Sequence, residues 1–248
     1  MNAIYDDIGT TYSVTRCTDP KIAQQIYAEL QGATRIVNIG AGTGSYEPED
    51  IALVAVEPSA KMIAQRKIGA HSVEQAFAEK LPFEHNSFSH AMTVLSMHHW
   101  ADRARAFREI NRVATEKFVA LTWDPNAEPF WLTRDYFPEI HEMDKQIFPD
   151  LDELQAHFDE VNMRPLLIPS DCQDGFFAAF WKRPAAYLNS TVRQSMSPFA
   201  KIKELSAGLQ RLEEDLASGV WAKNNQAILN ASFLDVGYRV VSAKVRNS

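Results

Sequence analysis

Four residues have the types and the spacing to bind a nucleoside: Gly40, Gly42, Gly44 and Glu57. The glycines follow an apolar run that is typical of a buried parallel strand, and Glu57 ends a second such run. Glycines at the carboxyl end of a strand permit a tight turn and the close approach of a ligand to the backbone. A carboxylate at the neighbouring strand end can accept hydrogen bonds from both hydroxyls of a ribose. These residues predict a nucleoside-bearing ligand in the crevice between the two strands.

The spacing of these residues bears on which ligand is bound. A dinucleotide site has the pattern G-x-G-x-x-G, a helix that holds the pyrophosphate, and an acid about 20 residues further on. Here the pattern is G-x-G-x-G, and Glu57 comes 13 positions after Gly44 (57 − 44). The intervening residues 45–51 are acidic and too few for a full helix that faces a pyrophosphate. The spacing therefore favours a ligand without phosphate.

Two adjacent histidines, His98 and His99, follow another apolar run, residues 90–96. By the rule for open α/β sheets, they lie at the carboxyl edge, beside the same crevice. Histidine is the side chain best suited to take a proton near neutral pH. A metal pair is not expected, because adjacent side chains point apart and no carboxylate–histidine pattern surrounds them.

Four blocks of sequence together resemble the class I S-adenosylmethionine-dependent methyltransferases of small molecules. They are residues 36–44, 54–59, 78–83 with 86–88, and 94–100 followed by 107–113, at the separations usual for that family. The resemblance implies a single methyltransferase domain over residues 1–248 and S-adenosyl-L-methionine as cofactor. It also implies an α/β fold: a Rossmann-like, doubly wound, seven-stranded sheet, mostly parallel with an antiparallel last strand, plus a helical cap insertion.

The resemblance assigns a cofactor site from which two positions depart. Asn38 stands where an acid is common, so the ammonium group of the cofactor needs another partner; Glu47 is a candidate, and a surface acid in a loop is the alternative. Phe77 stands where an acid often meets adenine, so Glu79 or the backbone at Ala78 and Glu79 takes over. The cofactor-binding residues expected from the family are Asn38, Gly40, Ala41, Gly42, Gly44, Glu57, Pro58, Met62, Ala78, Glu79 and Leu95.

The methyl-transfer site is expected beside His98 and His99. An attacking hydroxyl, amine or carbon acid loses a proton during methyl transfer, so either histidine could be the catalytic base. The alternative is that both only line the pocket, because the sulfonium group is already a strong leaving group and proximity and desolvation can suffice.

Segments 125–149 and 176–219 are predicted to form the substrate cap; the heptad-like spacing of apolar residues in 176–219 makes a dimer contact the alternative for that segment. In the stretch 170–181, acids, a thiol and a glycine precede a run of aromatics. This stretch is predicted to line the acceptor pocket; the alternative is a turn that leads into a structural helix. The aromatic content favours a small hydrophobic or aromatic acceptor, and leaves open whether oxygen, nitrogen or carbon is methylated. The acceptor-binding residues expected are Trp100, Trp131, Asp171, Asp174, Phe177 and Trp181.

The elements that must position these residues alternate between strands and helices, which requires a parallel sheet with helices on both faces. Helices are predicted to begin after Asp19, at Ser59 or Pro58, and after Asp102, where capping residues precede apolar residues at helical spacing. Two later helices are predicted over residues 150–161 and 197–219. The third to seventh strands are predicted at residues 73–77, 90–96, 117–123, 165–169 and 237–245.

Bulk composition bounds the partners. The 248 residues, 46% of them hydrophobic, can bury one substantial core. A net charge of −7 without a clustered basic run argues against nucleic acid. No apolar run approaches membrane-spanning length and no signal peptide is recognised, so a cytoplasmic protein is expected. The two cysteines lack a pairing pattern, so reduced thiols are expected. The protein is expected to be a monomer or a homodimer. Tyr5 and Tyr12 either fold over the ligand or simply pack.

Two rival functions follow from the same residues. The first is a protein of repurposed function that binds S-adenosylmethionine or S-adenosylhomocysteine, such as a sensor or a cyclase, because Asn38 and Phe77 depart from the family pattern. The second is a nicotinamide-dependent oxidoreductase, which the spacing of the glycine loop disfavours.

Overall fold

The computed structural model describes residues 16–194 and 196–246, so Tyr5 and Tyr12 lie outside the described residues. Seven strands form one sheet. They are β1 (Arg35–Ile39), β2 (Ala52–Val56), β3 (Ser72–Glu74), β4 (Phe88–Val94), β5 (Ala114–Trp123), β6 (Asp159–Pro169) and β7 (Phe233–Lys244). Their order across the sheet is β3-β2-β1-β4-β5-β7-β6.

The direction of the strands confirms the predicted fold class. Strands β1 to β5 pair in parallel, and β7 is antiparallel to both of its neighbours, β5 and β6. The chain proceeds outward from β1 to β3 and then crosses back to β4, so β1 and β4 flank the point where the strand order reverses. Ligands of open α/β sheets bind at the carboxyl ends of such strands.

Eleven helices accompany the sheet in the described residues. They are α1 (Pro20–Tyr27), α2 (Ala60–Ala64), α3 (Arg103–Val113), α4 (Trp131–Asp135), α5 (Pro138–Ile147), α6 (Leu154–His157), α7 (Ser190–Gln194), α8 (Ser197–Lys201), α9 (Ser206–Ser218), α10 (Val220–Asn224) and α11 (Gln226–Leu229). Single 3-10 turns cover Ala28–Leu30, Met97–His99, Leu151–Glu153 and Pro184–Leu188. No helix in the described ranges is long and apolar enough to span a membrane.

The sheet is buried on both faces because successive side chains of each strand point to opposite sides. In β1, Ile36 belongs to the same cluster of buried residues as Ile22 and Ile26 of α1. The next residue, Val37, belongs to a second cluster with Phe107 of α3. The helices begin at the predicted caps: the carboxylate of Asp19 accepts from two backbone N–H groups of α1, and Ser59 and Asp102 cap α2 and α3.

Several elements differ from the sequence prediction. The apolar stripe Leu151, Leu154 and Phe158 is buried, but α6 ends at His157 and Val161 lies in β6. Strand β6 begins at Asp159 because it pairs along most of the 12-residue β7. The helix predicted over 197–219 is two helices, since the backbone at Ile202 is extended. This break lets Phe199 and Leu212 reach one core. Strand β3 is three residues long and stops at Glu74, before Phe77.

Helices α4, α5 and α7 to α10 form a layer with an aromatic core of its own, which we call the helical layer. Trp131 lies at its centre, with ring centroids 5.6 Å from Tyr187 and 5.3 Å from Trp221. Residues from both segments predicted as a cap, including Phe137 and Phe199, belong to this core. Packing of this kind joins two segments that are distant in sequence in one core.

A substitution at Gly208 tests this packing. A Cβ atom at Gly208 would lie 2.4 Å from Cε1 of Phe137 and 2.6 Å from the backbone oxygen of Tyr136. Alanine is the better helix former by about 1 kcal/mol, but overpacking costs typically about 1–3 kcal/mol. We expect Gly208→Ala to lower the free energy of unfolding, measured by chemical denaturation. Glu213→Ala, at an exposed position of the same helix, should change it by less than about 0.5 kcal/mol. A stabilised Gly208→Ala variant would contradict the packing.

Candidate active site

A cavity of about 590 Å³ opens at the carboxyl ends of β1, β2 and β4, and we call it the strand-end cavity. Its volume falls within the roughly 300–1,000 Å³ of typical ligand pockets. The structure places in its wall every residue predicted to bind a cofactor except Gly44: Asn38, Gly40, Ala41, Gly42, Glu57, Pro58, Met62, Ala78, Glu79 and Leu95. Gly44 instead closes the turn, where its N–H donates to the carbonyl of Ala41 at 3.0 Å.

The glycine loop needs glycine at its first position for two reasons. Gly40 has a φ of +70°, a conformation that side chains other than glycine rarely adopt. A Cβ atom there would lie 2.0 Å from Oγ of Ser96. The N–H groups of Gly40 and Ala41 both donate to the carbonyl of Val56, at 2.8 and 3.0 Å. The loop is therefore pressed between the ends of β2 and β4.

The carboxylate of Glu57 is buried and bonded on both oxygens. Oε2 accepts from the N–H of Gly42 at 2.8 Å, and Oε1 accepts from the N–H of Ser59 at 2.9 Å. Only 6% of the residue is exposed. Glu57 also lines the cavity, where a carboxylate is an acceptor for ligand donors. One side chain therefore fixes the glycine loop, starts α2 and presents acceptors to a ligand.

The pair Asn38 and Glu47 lies in a buried network. Nδ2 of Asn38 donates to Oε1 of Glu47 at 3.0 Å, and Nη2 of Arg66 lies 2.7 Å from Oε2 of Glu47, with both charged side chains 5% exposed. Glu47 is thus neither a surface acid nor part of the cavity wall. Oδ1 of Asn38 is buried without a hydrogen-bond partner among the described residues, and Asn38 lines the cavity. A buried acceptor of this kind favours a ligand donor.

Part of the wall of the strand-end cavity is apolar. Phe77, which is 47% exposed, lines it together with Met62 and Ala78. Oε1 of Glu79 accepts from the backbone N–H groups of Ala101 and Asp102, at 2.7 and 3.1 Å. This oxygen therefore holds the loop before α3.

A second cavity lies between the sheet and the helical layer, and we call it the cap cavity. It measures about 80 Å³, enough for several water molecules or one small group. Arg16 and Leu95 line both cavities, so the two adjoin. The histidines and aromatic residues in the wall of the cap cavity are His98, Trp123, Phe130, His141, Phe148, Phe176, Phe177 and Tyr238.

His98 and His99 lie between the two cavities. His99 lines the strand-end cavity and His98 the cap cavity, yet their ring centroids are 3.8 Å apart, so the expectation that the two side chains point apart is wrong. Burial and the positive charge of Lys201 lower the pKa of His99 to about 4. The pKa of His98 is well below its usual range, chiefly because of burial. Both rings are therefore neutral near pH 7, and Nδ1 of His98 is buried without a partner among the described residues.

Asp144 of α5 also lines the cap cavity. Its carboxyl group forms no hydrogen bond or ion pair with any residue the structure describes. Burial raises its pKa from an ordinary 3.8 to about 7, although the charge of Lys201 acts in the opposite direction. Sequence patterns did not mark Asp144, Lys201 or His141, because they belong to short helices without a recognisable motif.

The residues predicted to bind the acceptor are spread over four environments. Trp100 lines the strand-end cavity and Phe177 the cap cavity. Asp171 is an exposed partner of Lys21, with Oδ2 and Nζ 2.7 Å apart. Trp131 and Trp181 are buried and line neither cavity; their indole N–H groups donate to the carbonyls of Trp181 and Ile168.

Asp174, the remaining predicted residue, acts through a neighbour. It is buried, and its Oδ1 lies 2.8 Å from Nε of Arg16. The hydroxyl of Tyr46 donates to Oδ2 of Asp174 at 2.8 Å. Arg16 therefore lines both cavities in a position fixed by an ion pair. No sequence pattern marks Arg16, because its acidic partner is 158 residues away.

Within the described ranges, no group of three or more histidine, cysteine or acidic side chains is placed to hold a metal ion.

Comparison with known proteins adds to this geometry. A family model described as a methyltransferase domain matches residues 37–117. A solved structure from Anabaena variabilis, whose name assigns it to the methyltransferases of an antibiotic biosynthesis pathway, is 32% identical in sequence. Its match covers 92% of this chain and 98% of that chain, with a TM-score of 0.83.

Two further relatives are more distant. The chloroplastic 2-methyl-6-phytyl-1,4-hydroquinone methyltransferase 2 of Oryza sativa subsp. japonica is 26% identical over 140 residues, which are 52% of this chain and 39% of that protein. The chain spans only 39% and 42% of the two rice relatives it matches. The [4+2]-cyclase SpnF is 16% identical, with a TM-score of 0.54 over 92% of this chain and 81% of that chain. At that identity the likeness shows the fold alone.

Glu57→Gln tests the strand-end cavity. Both oxygens of Glu57 accept from backbone N–H groups, so an amide in its place turns a donor towards a donor. Loss of a charge-assisted hydrogen bond costs about 1.5–3 kcal/mol, or roughly 10- to 150-fold in affinity. We expect calorimetry to show a weaker affinity for S-adenosylhomocysteine by about that factor. Glu49→Gln, at an exposed position of the loop between β1 and β2, serves as control, and equal affinities for all three proteins would contradict the assignment.

Asp144→Asn tests the burial of that carboxyl group. Because the pKa of Asp144 is raised in the fold to about 7, the folded state binds the proton more tightly than the unfolded state does, and its stability falls as pH rises from about 4 to 7. Asp144→Asn has no ionisable group at this position and does not lose stability in this way as the pH rises. We expect its free energy of unfolding, relative to the original protein, to be about 2 kcal/mol more favourable at pH 8 than at pH 5. Glu142→Gln on the same helix is the control; a pH-independent difference for Asp144→Asn would refute the burial.

Proposed function

The chain belongs to the class I S-adenosylmethionine-dependent methyltransferases, and from this premise we propose that it methylates a small hydrophobic or aromatic acceptor held in the cap cavity. The observation that carries the proposal is the contact between the two cavities. They share Arg16 and Leu95, and the adjacent rings of His99 and His98 line one cavity each. This arrangement supports transfer of a group from one cavity to the other.

The residues of the strand-end cavity fit S-adenosyl-L-methionine. Glu57 lines this cavity at the end of β2, where a carboxylate can accept from ribose hydroxyls. Oδ1 of Asn38, buried without a partner among the described residues, can accept from the ammonium group. Phe77 and Met62 offer apolar surface to adenine. When bound, the cofactor supplies a methyl group on a positively charged sulfur, which is a strong electrophile with a good leaving group.

The helical layer supports the choice of acceptor. Six aromatic rings other than histidine line the cap cavity, and aromatic surface favours planar apolar ligands. The cavity of about 80 Å³ is small, so an acceptor larger than one ring requires the helical layer to move away from the sheet. We assign to these segments the role of a substrate cap that excludes water from the reacting atoms.

The two histidines have a positioning role in this proposal. With their pKa values below the usual range, His98 and His99 are poor proton acceptors near pH 7. As neutral rings between the cavities, they can contact the acceptor and orient it for attack. Correct orientation of the reacting groups can supply a large part of a rate enhancement.

A side chain that fills the cap cavity tests the assignment. Ile147 lines the cavity from α5, whereas Gln146, next to it, is exposed. We expect Ile147→Trp to slow methylation at least about tenfold, because overpacking of about 1–3 kcal/mol opposes acceptor binding. Its affinity for S-adenosylhomocysteine should stay within about threefold of the original. Gln146→Trp adds the same ring outside the cavity and should leave both quantities unchanged.

The assay is consumption of S-adenosylmethionine in the presence of phenols, carboxylic acids and amines. Equal loss of activity in Ile147→Trp and Gln146→Trp would refute the cap cavity as the acceptor site. Cofactor binding by the original protein without turnover of any acceptor would favour the rival reading, a sensor or a cyclase, since the same fold also carries a cyclase. Tight NADH binding without S-adenosylhomocysteine binding would point to an oxidoreductase.

A further inference from the structure

We infer that the cap cavity takes acceptors whose attacking atom carries an ionisable proton, a phenolic hydroxyl or an amine, and that the carboxylate of Asp144 removes that proton. The inference rests on the proposed function, because it names the acceptor class and the proton acceptor of the same site. It assigns to Asp144 the role that the sequence predicted for His98 or His99.

The position of Asp144 is the first support. Asp144 lines the cap cavity, is half-buried, and has no side-chain hydrogen bond or ion pair within the described residues. Withdrawing a carboxyl group from bulk water without a partner is costly, so a ligand that supplies a donor would be favoured there. A donor on the acceptor molecule, O–H or N–H, is the partner that the carboxylate lacks.

The groups around Asp144 leave it as the best proton acceptor in the cavity. Lys201 of α8 favours the ionised carboxylate, and burial opposes it, so the pKa of Asp144 is raised to about 7. His141 on the same helix has a lowered pKa, as do His98 and His99. The remaining ionisable groups in the wall are Arg16, which is paired with Asp174, the exposed Glu128, and Tyr238, whose pKa burial raises.

Lys201 strengthens the argument, because it makes the carboxylate available without pairing with it. Its ammonium group forms no ion pair with any described residue within 4.0 Å, although its charge lowers the pKa of Asp144, His98 and His99. The same charge therefore weakens the histidines as bases and increases the ionised fraction of the carboxyl group.

The proton transfer balances without a further reactant. The O–H bond of a phenol, or one N–H bond of the ammonium form of an amine, breaks, its electron pair stays on the acceptor atom, and the proton forms an O–H bond with an Oδ atom of Asp144. The freed electron pair forms the new bond to the methyl carbon, while the electrons of the carbon–sulfur bond stay on sulfur, which leaves as the neutral thioether S-adenosylhomocysteine. Asp144 returns its proton to water when the product departs.

Three probes of similar shape test the inference: phenol and benzylamine, which must lose a proton, and benzoate, which is already ionised at neutral pH. We expect Asp144→Asn to lower kcat for the proton-bearing probe that the original protein methylates by about 100-fold, since general base catalysis contributes 10²- to 10⁴-fold. Benzoate methylation should change by less than about threefold if it occurs, as no base is needed. Glu142→Gln, an exposed acid on the same helix, is the matched control.

The pH profile and a direct titration distinguish a base from a structural role. The acid limb of kcat against pH should lie near 7 in the original protein, move to higher pH in Lys201→Met, and vanish in Asp144→Asn. A carbon-13 label in the aspartate carboxyl groups should show, by NMR, one resonance that titrates near pH 7 and is absent from Asp144→Asn. This second readout needs neither cofactor nor acceptor.

The outcomes separate this inference from the function on which it rests. Turnover of phenol or benzylamine that survives Asp144→Asn, with its acid limb intact, overturns the inference. So does a protein that binds S-adenosylhomocysteine but methylates neither phenol nor benzylamine, and so does an Asp144 resonance that titrates near pH 4. Failure of the original protein to bind S-adenosylhomocysteine overturns the proposed function instead.

Discussion

The carboxylate of Glu57 is the interaction on which the site depends. It joins the N–H of Gly42, in the glycine loop, to the N–H of Ser59, which caps α2. A buried carboxylate stabilised by backbone donors holds two parallel strand ends and a helix start in one geometry. Glycine at position 40 then lets the loop approach Ser96 more closely than any side chain would permit. The strand-end cavity is the space that these constraints leave open.

A second constraint ties the helical layer to the sheet. Asp174, in the loop after β6, accepts from Arg16 and Tyr46, both of which are buried or nearly so. Breaking a buried pair leaves an uncompensated charge, so these three residues fix the loop relative to the start of the described chain. Arg16 is thereby held at the wall that both cavities share. The cap cavity exists because this link and the aromatic core of the layer position it over β5 and β7.

Burial has opposite consequences for the acid and the bases of the cap cavity. Removal from water disfavours every charged form, which lowers the pKa of His98 and His99 and raises that of Asp144. The residue type that usually takes protons at neutral pH is thus the weaker base here. A positively charged methyl donor interacts more strongly with nearby polar groups in such an environment, because electrostatic interactions strengthen where water is excluded.

The sequence alone determined the fold class, the glycine loop and the role of strand ends, because the pattern of apolar runs, Gly40 and Glu57 reports on contacts between neighbouring elements. Contacts among distant or short elements could not be predicted in this way. The break at Ile202, the burial of Trp131 and Trp181, and the pairing of Asp174 with Arg16 all depend on what a residue meets across the fold. Tertiary structure likewise decided the protonation of His99 and Asp144, since a pKa depends on the burial and charges around a group and not on the residues adjacent to it in the chain.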